Sequence, residues 1–282
     1  MQGKVIAITG ATSGIGQVAA EKLAAMGARI VQVARSKPRG EAALSRLRSL
    51  APGVEHAIHY ADLSRLSEMK RVAAEIAQAE PRIDVLINNA GAVFSKRQVT
   101  EDGLELTFAL NHMSYFVLTH LLLDTLKASA PSRVISTASD AHRGYKLDLD
   151  DLQSAKKYQG FPVYGRSKLA NILFTRELAR RLAGSGITAN SLHPGFVRTR
   201  YGDESGGMLA LGIRFAKLFA ISPQKGAETI VYLASSPEVA GTTGQYFYKC
   251  RLHAPTRAGQ DDAAATRLWT ESVRLAGFDE QT

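Results

Sequence analysis

At 282 residues, 45% of them hydrophobic and 22% charged, the chain has ample core for one large α/β domain or two small ones. Its net charge of +9 is scattered, with no run of five or more Lys or Arg, which argues against nucleic acid as a partner and for a solvated surface. The single cysteine, Cys250, excludes an intramolecular disulfide and a cysteine-based zinc site, and no apolar run reaches the roughly 18 residues of a membrane span; the expectation is a soluble cytoplasmic protein with no membrane anchor.

An apolar, β-branched run at 4–9 leads into Thr9-Gly10-Ala11-Thr12-Ser13-Gly14-Ile15-Gly16, then a helical pattern to about Met26. Strand, glycine turn and helix is the context in which glycines let backbone N–H groups approach a pyrophosphate, aided by the positive end of the helix. The spacing is Gly-xxx-Gly-x-Gly rather than the Gly-x-Gly-xx-Gly of the common dinucleotide fingerprint. The next strand, Arg29 to Ala34, ends at Arg35-Ser36-Lys37. An acid there would bind the ribose hydroxyls of NAD. Arg35, with Ser36 and Lys37, instead suits a 2′-phosphate, so NADP(H) is favoured over NAD(H).

A helix near 39–50 and a strand near 54–60 lead to Asp62 and Leu63. Asp62 either accepts a hydrogen bond from an adenine amino group or, like Ser64, caps the helix expected near 65–79. His56 and His59 fall on opposite strand faces without clustered acids, so no metal site is expected. The strand at 83–87 runs into Asn88-Asn89-Ala90-Gly91, where small residues let the backbone come close to a ligand; Asn88 either joins that site or ties neighbouring strands together. A long helix is expected from about Glu101 to Ala128 with Asn111 in its middle. Asn is a poor helix-interior residue; it either bonds across the core or holds water near an active site.

Ser139 lies just past the strand at 132–137, on the side where open α/β sheets place ligands; Ser136 and Thr137 compete with it from within the strand. After a loop rich in Leu and Asp, a helical run begins at Tyr164-Gly165-Arg166-Ser167-Lys168. Tyr164 and Lys168 share a helical face, and a fixed ammonium favours phenolate, lowering a phenol pKa that is otherwise about 10. A strand from Ile187 to Leu192 closes on His193-Pro194-Gly195-Phe196-Val197-Arg198-Thr199. Residues 200–222, apolar and glycine-interrupted, read either as a lid over a lipophilic pocket or as short helices buried in the core. A helix from Pro223 to Ala234, a strand at Gln245 to Tyr248 and an amphipathic helix near 261–276 complete the chain. With no linker and no repeat, residues 1–282 are expected to form one domain.

The alternation of strands and helices gives a Rossmann-type α/β fold, a doubly wound parallel sheet flanked by helices. Joined to the glycine turn, Asn88-Asn89-Ala90-Gly91, Ser139, Tyr164-xxx-Lys168 and Pro194-Gly195-x-Val197-x-Thr199, it resembles the short-chain dehydrogenase/reductase family over nearly the whole chain. Asn111-His112, Ala141-His142, Ser167-Lys168-Leu169-Ala170-Asn171, His193-Pro194-Gly195 and the long gap from Ser139 to Tyr164 resemble the branch of the retinol dehydrogenases and the WW-domain oxidoreductases. The usual Ser-Ser pair is Ala138-Ser139 here, and no counterpart of the membrane-anchoring N-terminal segment of many retinol dehydrogenases is expected.

The resemblance implies oxidoreduction between a small-molecule alcohol and a carbonyl, with Tyr164 as general acid/base. Ser139 would position the substrate oxygen, and Lys168 would lower the Tyr164 pKa and hold the nicotinamide ribose. Asn111 would anchor a proton relay. Gly10, Thr12, Ser13, Gly14, Ile15, Gly16, Arg35, Ser36, Lys37, Asp62, Leu63, Asn89, Ala90, Gly91, Pro194, Gly195, Val197 and Thr199 would complete an NADP(H) site. Family members commonly form homodimers or homotetramers through the helices expected here at about 101–128 and 162–183. The alternatives are another reaction of the family, such as sugar-nucleotide epimerisation, and an NADP-binding redox sensor or scaffold without catalysis.

Overall fold

The computed structural model describes residues 1–196 and 221–279. Residues 200–220 of the lid expected at 200–222, and the expected site residues Val197 and Thr199, lie outside the described residues. Ile221 lies beside Phe196, its N–H donating to the Phe196 carbonyl at 2.8 Å.

Among the described residues the central sheet has eight strands: β1 (Val5–Thr9), β2 (Arg29–Ala34), β3 (Ala57–Tyr60), β4 (Val85–Asn88), β5 (Ser132–Thr137), β6 (Ile187–His193), β7 (Tyr246–Tyr248) and β8 (Arg251–Leu252), in the order β3-β2-β1-β4-β5-β6-β7-β8. Every pairing is parallel except the last. Strands covered on both faces need apolar residues on both, so successive residues of β1 serve different layers. Ile6 and Ile8 pack with Leu23, Ile135, Ile230 and Phe247, beneath α1 (Gly14–Ala25). Ala7 joins Val31, Leu86 and Val134 in the other layer, with Met69 and Val72 of α3 (Leu66–Ala79).

Between α1 and α3 in the chain comes α2 (Lys37–Leu50), whose Leu47 packs in the α1 layer; it is two residues longer at its start than expected because Pro38 fits the first turn of a helix. The strand expected near 54–60 begins only at Ala57: Gly53 turns at φ +90°, and the buried His56 ring accepts the Ile30 N–H at 3.0 Å. His59 lies 3.5 Å from Glu75. Among the described residues no group of three His, Cys, Asp or Glu is placed to hold a metal, and no helix is long and apolar enough to cross a membrane.

The long helix expected at 101–128 is instead built from pieces. Gly103 turns at φ +77°, and a bridge joins Val99 to Glu105. The buried Glu105 carboxylate then accepts the N–H groups of Thr107 and Phe108, both at 2.8 Å, starting α4 (Leu106–Phe108). A π-helical turn at Ala109–Met113 follows, then α5 (Ser114–Leu121) and α6 (Leu123–Ala128). An acid bonded to first-turn N–H groups is a strong helix start, so the register begins five residues later than hydrophobic periodicity suggests.

The helix α7 (Gly160–Arg181) starts four residues before Tyr164, and α8 (Pro223–Ser235) begins with the Ser222 hydroxyl accepting the Lys225 N–H. The β7–β8 hairpin was not expected. Its two turn residues, Lys249 and Cys250, have φ of 51° and 59°, values that such a turn normally fills with Asn or Gly, so no turn signal was present. The described chain finishes on α9 (Asp262–Ala276), closed by Gly277 at φ +63°.

Candidate active site

In this strand order the chain crosses outward in both directions from β1, and the carboxyl ends of β1, β4, β5 and β6 form one rim at the switch point, where open α/β sheets bind ligands. Gly10, at φ +69°, makes the turn out of β1, and an added Cβ would meet the Ala90 Cα at 2.9 Å. A Cβ on Gly16 would overlap the Gly10 carbonyl oxygen and Asn89 Nδ2. These glycines therefore press the start of α1 onto the ends of β1 and β4. Ser13 precedes α1 without capping it, and no acid lies in its first turn, so its leading N–H groups carry their partial positive charge toward the rim. Thr12 and Ser13 complete the turn, and Gly14 and Ile15 open α1. A cradle closed to side chains and ending on an uncapped helix start fits a dinucleotide pyrophosphate.

Arg35 and Lys37 are exposed at the end of β2, flank the half-buried Ser36, and make no ion pair among the described residues. They are placed to meet a phosphate beyond the cradle. Asp62 accepts the Ser64 N–H at 3.1 Å and its hydroxyl at 2.7 Å through Oδ1. Neither Asp62 nor Ser64 caps α3: the Leu66 N–H donates to Asp102 Oδ2 instead. Leu63 is buried.

The two asparagines after β4 mainly hold the fold. Asn88 Nδ2 donates to Thr119 Oγ1 at 2.9 Å, tying β4 to α5 rather than to a neighbouring strand. Asn89 Nδ2 donates to the carbonyls of Thr9 and Gly10, and its Oδ1 accepts from Thr137 Oγ1 at 3.3 Å. With the Asn89 side chain so engaged, the Ala90–Gly91 backbone is what this segment offers a ligand. Thr9, quoted at the head of the glycine turn but given no role there, accepts both the Asn89 and Ala90 N–H groups on its hydroxyl; its place immediately before Gly10 was the available signal.

Asn111 sits in the π-helical turn, wholly buried. Its Oδ1 accepts the Ala92 N–H at 2.8 Å, while Nδ2 donates to the Ala92 carbonyl and to Ser167 Oγ, both at 2.9 Å. Of the two roles open for Asn111, bonding across the core is therefore met. A Cβ on Gly91 would lie 3.0 Å from Asn111 Oδ1 and 3.2 Å from Lys168 Nζ, so both polar groups converge on one small space beside Gly91.

Lys168 is 3% exposed, and its Nζ donates to the Thr137 carbonyl at 3.0 Å. The same carbonyl receives Asn171 Nδ2 and the hydroxyl of Tyr115, each at 3.4 Å. Burial pushes the Lys168 ammonium down to about 7, since a charged group loses hydration there. Its Nζ lies 5.7 Å from the centre of the half-buried Tyr164 ring and 5.5 Å from that of Tyr115. Tyr115 was also missed; it lies four residues after Asn111 on the same broken helix.

Ser139 follows β5 at the head of a one-turn 3-10 helix (Asp140–His142), its Oγ accepting the Ala141 N–H at 3.1 Å. A Cβ on Gly165 would meet the Ala141 carbonyl oxygen at 2.5 Å, so α7 seats directly on this turn and brings Tyr164 against the Ser139 segment. Ser136 is buried inside the strand, and Thr137 is committed to Asn89. At the end of β6, Gly195 turns at φ +92° with Ile221 against it, next to Pro194. The rim thus gathers a hydroxyl, a phenol and a buried amine beside a helix start suited to an anion: acid–base chemistry next to a phosphate-bearing cofactor.

A sequence model of the family described as short chain dehydrogenase matches residues 4–209. Human retinol dehydrogenase 14 is 42% identical, the match covering 99% of this chain and 88% of that protein. Human retinol dehydrogenase 13 is 41% identical over 98% of this chain and 86% of its own length. Among solved structures, an uncharacterized protein from Mycobacterium Paratuberculosis superposes with a TM-score of 0.79 at 32% identity, covering 99% of this chain and 95% of that one. A short chain dehydrogenase from Burkholderia cenocepacia J2315 in complex with NADP superposes with a TM-score of 0.70 at 26% identity, covering 87% of this chain and 96% of that one.

Proposed function

Because the chain belongs to the short chain dehydrogenase family, we propose that it is an NADP(H)-dependent oxidoreductase interconverting a lipophilic alcohol and its aldehyde or ketone, with Tyr164 as general acid/base. The observation that carries this reading is the convergence of Tyr164, the buried Lys168 and Ser139 on the rim beside the glycine cradle. NADP(H), when bound, supplies the hydride chemistry; the residues supply position and the proton.

Ser139 Oγ already accepts from Ala141, so its own proton is left to donate to a substrate oxygen, where negative charge develops. Tyr164 gives that oxygen its proton in reduction and removes it in oxidation. The Lys168 ammonium, 5.7 Å from the ring, stabilises the charge left on the phenol. Asn111 holds Ala92 and Ser167 together, fixing the α7 turn that presents Lys168.

Arg35 and Lys37, exposed and without an acidic partner among the described residues, support NADP(H) over NAD(H), as does the NADP complex of the Burkholderia relative. A lipophilic substrate is supported by the retinol dehydrogenases among the relatives and by two aromatic side chains, each 55% exposed: Phe161, whose ring is 6.3 Å from that of Tyr164, and Phe196, next to Gly195.

The test is NADPH consumption across aldehydes, ketones and retinoids by the wild type and Tyr164→Phe. The variant should bind NADPH almost normally and lose about 10²- to 10⁴-fold in turnover. Turnover at the wild-type rate would remove Tyr164 from the role. A wild type that binds NADPH but consumes it with no carbonyl would favour a non-catalytic binder.

A further inference from the structure

Two histidines outside the proposed machinery touch the backbone that carries Ser139. His142 is fully buried, with Nδ1 2.7 Å from the Ser139 carbonyl oxygen and Nε2 3.2 Å from the Thr256 N–H. A carbonyl can only accept and a backbone N–H can only donate, so one neutral tautomer satisfies both contacts: His142 carries its proton on Nδ1. At His193 the geometry is reversed. Its Nδ1 accepts the Asp140 N–H at 3.2 Å, so the proton sits on Nε2. That nitrogen faces the Asp140 carboxylate at 3.9 Å.

A protonated ring would fit neither place, because it would aim N–H at N–H: His142 at Thr256, His193 at Asp140. Burial disfavours that state in both, lowering His142 and pushing His193 down to about 4. The surrounding polar groups hold the same turn. Tyr246 donates its hydroxyl to Asp140 at 2.9 Å, Arg143 lies 3.3 Å from that carboxylate, and Arg143 also meets His253 and the Ala254 carbonyl.

We propose that His142 and His193 are positioning residues that clamp the Ser139 backbone from two sides in opposite tautomers, His193 also locking that turn to the Pro194–Gly195 end of β6. The proposal rests on the reading of Ser139 as the group that orients the substrate oxygen. Ser139 has an extended backbone, φ −166° and ψ 151°, so the direction of its hydroxyl follows the peptides on either side. His142 fixes the peptide carbonyl after Ser139, and His193 fixes the N–H of the same peptide unit. The register between this unit and Pro194–Gly195 then sets the distance between substrate oxygen and cofactor.

The first test needs no turnover. Long-range ¹H–¹⁵N NMR of the wild type with ¹⁵N-labelled histidine should show His142 as the Nδ1–H tautomer and His193 as the Nε2–H tautomer at pH 6. Either ring in the other tautomer, or titrating near the ordinary midpoint of about 6.5, would overturn the clamp. The second test uses shape and donor pattern. His193→Asn places an oxygen where Nδ1 accepts; His193→Gln places its amide too far out; His193→Leu and His142→Leu fill space without hydrogen bonds. The expected result is a loss of about 10- to 100-fold in kcat for the Gln and Leu variants, recovery to within about threefold of wild type for His193→Asn, and an NADPH Kd changed by less than about threefold. Leucine variants with wild-type kcat, or Asn and Gln variants of equal activity, would show that the rings only fill space. If the wild type turned over no carbonyl, the functional reading would fail, and the tautomer measurement would still decide the clamp.

Discussion

Lys168→Met should make the protein more stable and nearly inactive at once. Methionine is unbranched, apolar and close to lysine in length, so it fills the space without the amine. The Lys168 side chain is 3% exposed and has its pKa pushed from 10.5 down to about 7 by burial. Free energies scale at about 1.4 kcal/mol per pKa unit, so keeping this lysine charged costs the folded protein about 3–5 kcal/mol. The sign follows from proton counting. Between pH of about 7 and about 10.5 the unfolded chain holds a proton here that the folded chain has shed, so the Lys168 contribution to stability rises with pH across that window. Below about 7 both states are protonated and the full cost is present. The lost hydrogen bond to the Thr137 carbonyl offsets about 1 kcal/mol of the gain. Urea unfolding of cofactor-free wild type and variant, from pH 6 to 10, should show a gap that favours the variant at pH 6 and narrows steadily above 7. Parallel curves across that range would refute the reasoning, because they would mean that Lys168 carries no special cost when charged. Carbonyl reduction by the variant should fall about 100-fold or more, the usual tension between a strained functional group and stability.

Two further outcomes test the cofactor cradle. Arg35→Asp replaces attraction for a 2′-phosphate with repulsion, and the ratio of kcat/KM for NADPH to that for NADH should fall by about 10- to 100-fold; an unchanged ratio would take Arg35 out of cofactor selection. Gly16→Ala would gain about 1 kcal/mol of helix propensity, yet its methyl group would overlap the Gly10 carbonyl and the Asn89 amide, an overpacking cost of about 1–3 kcal/mol. NADPH fluorescence titration should show affinity reduced by about tenfold, and unchanged affinity with an unchanged melting temperature would mean that the turn and helix are not pressed together as described.

Much of this architecture was legible because local chemistry and global fold point the same way. The apolar runs of β1, β2 and β5, the glycine turn and the position of Ser139 after its strand each follow from rules that act within about ten residues. The failures share the opposite property. The start of α4 depends on Glu105 folding back onto two N–H groups beyond it, and periodicity cannot register a capping acid preceded by a glycine turn. The β7–β8 hairpin uses Lys249 and Cys250 in a left-handed conformation, so composition gave no warning. Asn88 and Asn89 stood out as amides, but their partners, Thr119, Thr9, Gly10 and Thr137, come from other elements, and only the fold reveals that these side chains lace the rim together.

The same distinction separates the two kinds of residue at the site. Tyr164 and Lys168 belong to one helix, so their spacing alone places them on a common face. His142 and His193 lie 51 positions apart, and the property that makes them useful, opposite tautomers imposed by a carbonyl on one side and an N–H on the other, exists only once β5 and β6 are paired from Ser132–Ile187 to Thr137–Leu192. Carried one step beyond the last paired residues, that register sets Ala138 opposite His193, with Ser139 next in the chain and the Asp140 N–H within reach of the ring. A shift of one residue between the two strands would turn His193 to the opposite face of the sheet and leave the Asp140 N–H without its acceptor. The position of the serine hydroxyl is thus a consequence of sheet register, carried to it through an imidazole.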